Sequence, residues 1–145
     1  MIEDFDIYGN ASSMHAAGRL ALLKIKTVDH EILKNRYQTV FLREWENRKD
    51  ELKAKYSITA WEAAAYRGLE EIRGLTRFGD AKRGGLKINF LNENNIPIAA
   101  IWMRGSATEP VFRVMADAEG QDRRLERDLI EWQRRMVVLA DEETD

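Results

Sequence analysis

Between residues 86 and 118 the chain reads LKINFLNENNIPIAAIWMRGSATEPVFRVMADA, and this stretch constrains the fold more than any other. Leu86, Ile88 and Phe90 alternate with Lys87 and Asn89, the period of a strand with one buried face. NENN makes a turn, a second apolar run reaches Met103, RGSATEP interrupts it, and VFRVMADA begins a further strand. Runs joined this closely form hairpins. Pro97, near the start of the second run, suits an edge or a strand entry, where no ladder donor is required.

Helical periods flank this core. LALLKIK (20–26) is expected to be a strand. Residues 27–56 then read as one long helix, capped by Thr27 or Asp29. Ile32, Leu33, Tyr37, Val40, Phe41, Trp45, Leu52 and Tyr56 recur at three- and four-residue steps along it. Trp45 and Phe41 read as core, and the charges of REWENRKDELK as a solvated face. Residues 58–75 mix helix-favouring alanines and glutamates with Thr59, Trp61 and Tyr66. The mix admits a helix or a strand, a strand over 59–66 being what the family resemblance set out below implies, and a glycine-punctuated loop, TRFGDAKRGG, follows. A final helix runs over 122–139 behind an Asp122 cap, with Leu125, Leu129, Trp132, Met136 and Leu139 on one stripe. Residues 1–19, rich in Gly, Asn, Ser and Ala, are expected to be a tail or linker. They read equally as the join to a longer protein or as a frayed terminus. Hairpin-joined strands with helices stacked on one face make an α+β domain, and 145 residues suit one such domain.

The composition removes several functions. With no cysteine there is no disulfide, thiolate metal site or cysteine nucleophile. His15 and His30 lack metal-ligand spacing, so no metal is assigned to this chain. A formal charge of −2 provides no general basic field for nucleic acid, and no apolar run is long enough to span a membrane. The first residues lack signal-peptide character, which makes a cytoplasmic location the expectation. Any attraction for anions is therefore local.

The RGSATEP connection (104–110) is where such an attraction would reside. The guanidinium of Arg104 matches a phosphate as a fork of parallel hydrogen bonds. Ser106 and Thr108 alternate, so an extended loop aims both hydroxyls the same way. The amides from Gly105 through Ala107 to Thr108 can curl into a nest, and Pro110 stiffens the exit. The same residue types also serve an ordinary hairpin connection, with Arg104 paired to Glu109 or to a helix carboxylate.

The stretch RGSATEPVFRVMAD resembles the R-x-S-G-T-E-P loop and following strand of the α-D-phosphohexomutases, the superfamily of phosphoglucomutases and phosphomannomutases. The resemblance lies in their C-terminal domain. It covers about Leu20 to Leu139 and is strongest from Gly84 to Ala118. It implies a TATA-binding-protein-like fold, a small antiparallel sheet with two helices on one face, in a domain spanning 20–145. It further implies that this domain grips the non-reacting phosphate of a hexose phosphate (glucose or mannose phosphate), with the other domains of the parent enzyme as partners. Arg104 would clamp the phosphate, Ser106 and Thr108 would donate hydroxyls, and Gly105 and the Ala107 amide would line the nest. Arg113 would either face the cleft or tie down Glu109. Ala107 stands where the family usually has glycine. Neither a serine motif like TASHNP nor a D-G-D-x-D-R magnesium loop is present, so no catalytic residue is assigned, and the Mg implied for the parent has no place here. The chain alone is expected to bind and not to transfer phosphate. A stand-alone phospho-ligand-binding module is the alternative.

Overall fold

A computed structural model describes residues 2–8, 19–106 and 111–142. The order of elements is β1 (Ile2–Tyr8), β2 (Arg19–Lys24), α1 (His30–Tyr56), β3 (Ala60–Arg67), β4 (Glu70–Arg73), a 3-10 turn (Phe78–Ala81), β5 (Gly85–Leu91), β6 (Pro97–Gly105), β7 (Val111–Ala118), a second 3-10 turn (Glu119–Gln121) and α2 (Arg123–Glu142). The strands form one sheet in the order β1-β2-β7-β6-β5-β3-β4, antiparallel at every pairing. This is the α+β architecture expected from the hairpin pattern.

Register shows where the core lies. Ala21, Val114, Met103, Leu86 and Ala65 make one row across the sheet, and all are buried. Trp61 and Phe90 are paired in another row. Both helices pack on this face: Phe41 of α1 meets Trp61 edge-on at 5.0 Å between ring centroids, and Trp132 of α2 stacks on Phe90 at 6.0 Å. The other face carries the alternate residues, among them Lys87, Trp102, Arg104 and Arg113.

Several boundaries depart from expectation. Within the segment read as tail or linker, Ile2–Tyr8 pair with β2 at the sheet edge. β2 stops at Lys24, and the amides of Lys26 and Thr27 turn to the carboxylate of Asp141 near the end of α2. Asp29 is the cap of α1, its carboxylate accepting from the Glu31 and Ile32 amides. Ile32, assigned to the apolar stripe, is exposed, whereas Lys34 and Glu44 of the same helix are buried. The turn at Gly68, with φ +62°, sends the chain back as β4, which the mixed pattern of 58–75 does not reveal. Phe78, in the stretch read as a plain loop, is fully buried against Tyr37, Phe41 and Trp61. Pro97 is a strand entry and not an edge residue, since β6 lies between β5 and β7.

Candidate functional site

The end of the β6–β7 hairpin is built by register. Counting forward from the buried Met103, strand alternation turns Arg104 to the uncovered face and Gly105 to the helix-covered face. Arg104 pairs with Arg113 across the ladder, and Gly105 pairs with Phe112. The Ser106 amide donates to the Val111 carbonyl at 2.9 Å, closing the hairpin beyond the last paired residues. Ser106 is half-buried; Ala107, Thr108, Glu109 and Pro110 lie outside the described residues.

Arg104 and Arg113 are both exposed, and no described carboxylate pairs with either. Like charges directly opposite on neighbouring strands destabilise a sheet. With no described carboxylate beside them, two facing guanidiniums at one hairpin mouth are a local cost to folding. They also form a ready receptor for an anion that bridges them.

Beneath the mouth lies a group of residues to which the sequence assigned no part in the loop. The first residue of α1, His30, sits with its ring against Gly105. A Cβ at position 105 would stand 2.2 Å from His30 Cε1 and 2.7 Å from its Nδ1, so only glycine leaves room for the imidazole. The ring meets Phe112 edge-on, with centroids 5.0 Å apart. His30 is 6% exposed, and its Nδ1 has no hydrogen-bond partner among the described residues. Burial, together with the charges of Arg83 and Lys34, holds its pKa below the usual imidazole value, with Asp29 pulling the other way.

One turn along α1, Lys34 is wholly buried and donates through Nζ to the carbonyls of Lys82 and Gly84, the latter at 2.7 Å. It thereby anchors the connection that carries Arg83. Burial lowers its pKa to about 8, assisted by the charges of Arg83 and Arg104. The signal that could have found this pair is the four-residue step from His30 to Lys34 just inside the Asp29 cap, which puts both on one side of the first turn.

The structure thus brings together Arg104, Gly105, Ser106 and Arg113 at the hairpin end, with His30 and Lys34 packed on its helix-covered side and Arg83 beside His30. Ala107 and Thr108 are not among the residues it describes. Elsewhere on the uncovered face, Lys87 Nζ lies 4.6 Å from the Trp102 ring centroid, and Tyr66 and Trp102 are 4.9 Å apart. Among the described residues no group of three or more His, Cys, Asp or Glu could hold a metal ion, and no helix is long and apolar enough to cross a membrane. No family model, curated protein or solved structure matches the chain.

Proposed function

We propose that this chain is the C-terminal, substrate-phosphate-binding domain of a cytoplasmic phosphohexomutase. It would hold the non-reacting phosphate of a hexose phosphate while the other domains of the enzyme, with their magnesium ion, transfer the second phosphoryl group. The observation that carries the reading is the cross-strand pair of Arg104 and Arg113 at the mouth of the hairpin, uncompensated by any described carboxylate. It stands in the strand-loop-strand setting where the resemblance puts the phosphate. Arg104 supplies the planar fork, Arg113 a second positive charge, and Ser106 with the amides around Gly105 the neutral donors. In the whole enzyme this grip on a remote group would orient the sugar and favour the closed cleft. The chain on its own binds without transferring phosphate, because the serine and magnesium motifs of the family are missing from its sequence.

An NMR titration of the 145-residue chain with glucose 1-phosphate tests the reading. The amides of Gly105 and Ser106 should shift with an affinity in the millimolar range, about −4 kcal/mol, since the rest of the cleft is absent. Arg104→Ala should weaken that binding by more than about ten-fold, the effect of a charge-assisted contact worth at least 1.5 kcal/mol. Binding that survives Arg104→Ala unchanged, or shifts confined to other parts of the chain, would remove the assignment.

A further inference from the structure

We propose that the uncovered face of the sheet carries a second binding site, a depression over Ala100 that takes a small neutral polyol of the size of one sugar ring. It lies away from Arg104, toward the other end of β6, and rests on a different observation. By register, Glu62, Asn89, Ala100 and Asp117 form one row across β3, β5, β6 and β7. Adjacent strands are about 4.8 Å apart, so Asn89 and Asp117 stand about 10 Å apart with only the Ala100 methyl between them. The gap is a depression of about 210 Å³, with Lys87 on one side and Pro97 and Ile98 at its edge. Pairing skips Ile98 between the Phe90–Ala99 and Leu91–Pro97 pairs, a bulge that ends the regular ladder beside the depression.

Asn89 points to a ligand. It stands between Ile88 and Phe90, both turned to the core, so its side chain is on the uncovered face. It is nevertheless only 7% exposed, and it lines the depression. Among the described residues its carboxamide has no hydrogen-bond partner. Polar groups covered to this degree are paired as a rule, which leaves this one to be explained. The walls define what would pair with it. The carboxamide both donates and accepts, the Asp117 carboxylate accepts, and the Lys87 ammonium only donates. A hydroxyl does both, so neighbouring hydroxyls of one ring satisfy all three groups together. Lys87 and Asp117 already act on each other as opposite charges: burial lowers the Lys87 pKa, while Glu71 and Asp117 pull it upward. A charged ligand would be opposed by one member of that pair, and a neutral one is opposed by neither. The Ala100 methyl and the edges of Pro97 and Ile98 supply apolar surface for the C–H face of such a ring. Pockets for drug-sized ligands begin at about 300 Å³, so this one suits a single ring and not a chain of them. Its polar groups stand on paired strands, and Lys87 is steadied by the Trp102 ring, 4.6 Å from its Nζ, which holds the donors ready.

D-Glucose is the probe, titrated into the isotope-labelled full chain and followed by NMR. The side-chain amide resonances of Asn89 and the backbone amides of Ala100 and Asp117 should shift together, with half-saturation at about 10 mM or below. Asn89→Ala should weaken the binding about five-fold or more. Ala100→Leu, which fills the depression from its floor, should abolish the shifts. The wild-type chain decides the matter even where a variant does not fold: its Asn89 side-chain amide should respond to glucose and not to the same concentration of glycine, a zwitterion. Failure of Asn89 to respond to glucose at about 100 mM overturns the site. Shifts that persist in a folded Ala100→Leu chain overturn it as well, and a response to glycine in place of glucose overturns the polyol. None of these results bears on phosphate binding at Arg104, which is read from Gly105 and Ser106.

Discussion

At position 34 a lysine carries its ammonium into the interior, and two backbone carbonyls and the ring of Phe112, 5.9 Å away, receive it. Its folded pKa of about 8 lies below the ordinary value of 10.5, so between these limits the unfolded chain binds more protons than the folded one. Stability must then rise with pH from about 8 to 10.5, and the gain is lost as pH falls back through 8. Urea unfolding across that range should show this rise in the wild type, and the difference between wild type and Lys34→Met should contain it. Parallel curves for the two proteins would mean that Lys34 titrates normally. Retaining such a residue makes sense where the 82–84 connection must be held in one place, and Arg83 is what that connection presents beside His30. Gly105 makes the complementary argument: with the His30 ring in the place of its side chain, even a methyl group must displace the helix or the strand.

At the scale of the element, α1 begins and ends by different means. Asp29 satisfies two of its free amides, and the chain leaves through Ser57 at φ +62°, with the Ser57 and Ile58 amides returning to the carbonyls of Lys53 and Leu52. That closing pattern favours glycine at the left-handed position. Ser57→Gly, exposed and free of packing, is expected to raise stability by about 0.5–1 kcal/mol in chemical denaturation. A neutral or destabilising result would show that the hydroxyl contributes what the backbone lacks. The strands were legible as elements because Leu86–Phe90 and Phe112–Ala116 alternate cleanly over one covered face. β4 was not: Glu70 to Arg73 has a single partly buried residue, Ile72, and exists because β3 offers it a ladder. Phe78 was hidden for the opposite reason, a core aromatic set in a polar, glycine-rich stretch whose local pattern signals only a loop.

At the scale of the molecule, the two helices are joined to each other by polar contacts placed among the aromatic rings. Glu44 of α1, only 5% exposed, accepts from the Trp132 indole at 3.0 Å and from Arg135 at 3.1 Å, while Arg48 and Tyr56 reach Asp128. Glu44→Leu leaves the buried indole N–H unpaired and should cost about 1–3 kcal/mol in unfolding free energy. In a Trp132→Phe background, where no indole remains to be stranded, the same substitution should cost measurably less. Equal costs in both backgrounds would place the effect in Arg135 or in packing.

The sequence by itself determined which stretches are strands and which are helices wherever one face is buried, because periodicity records the burial of neighbours a few residues apart. It also marked Arg104, Gly105, Ser106 and Arg113 as one connection and its exit. Only the tertiary structure decided that β2 lies beside β7, that Arg104 and Arg113 face each other across a ladder, and that His30 packs under Gly105 with Lys34 and Arg83 close by. Those placements depend on contacts between residues distant along the chain, where the packing of a helix on a sheet sets the neighbours and no local pattern records them.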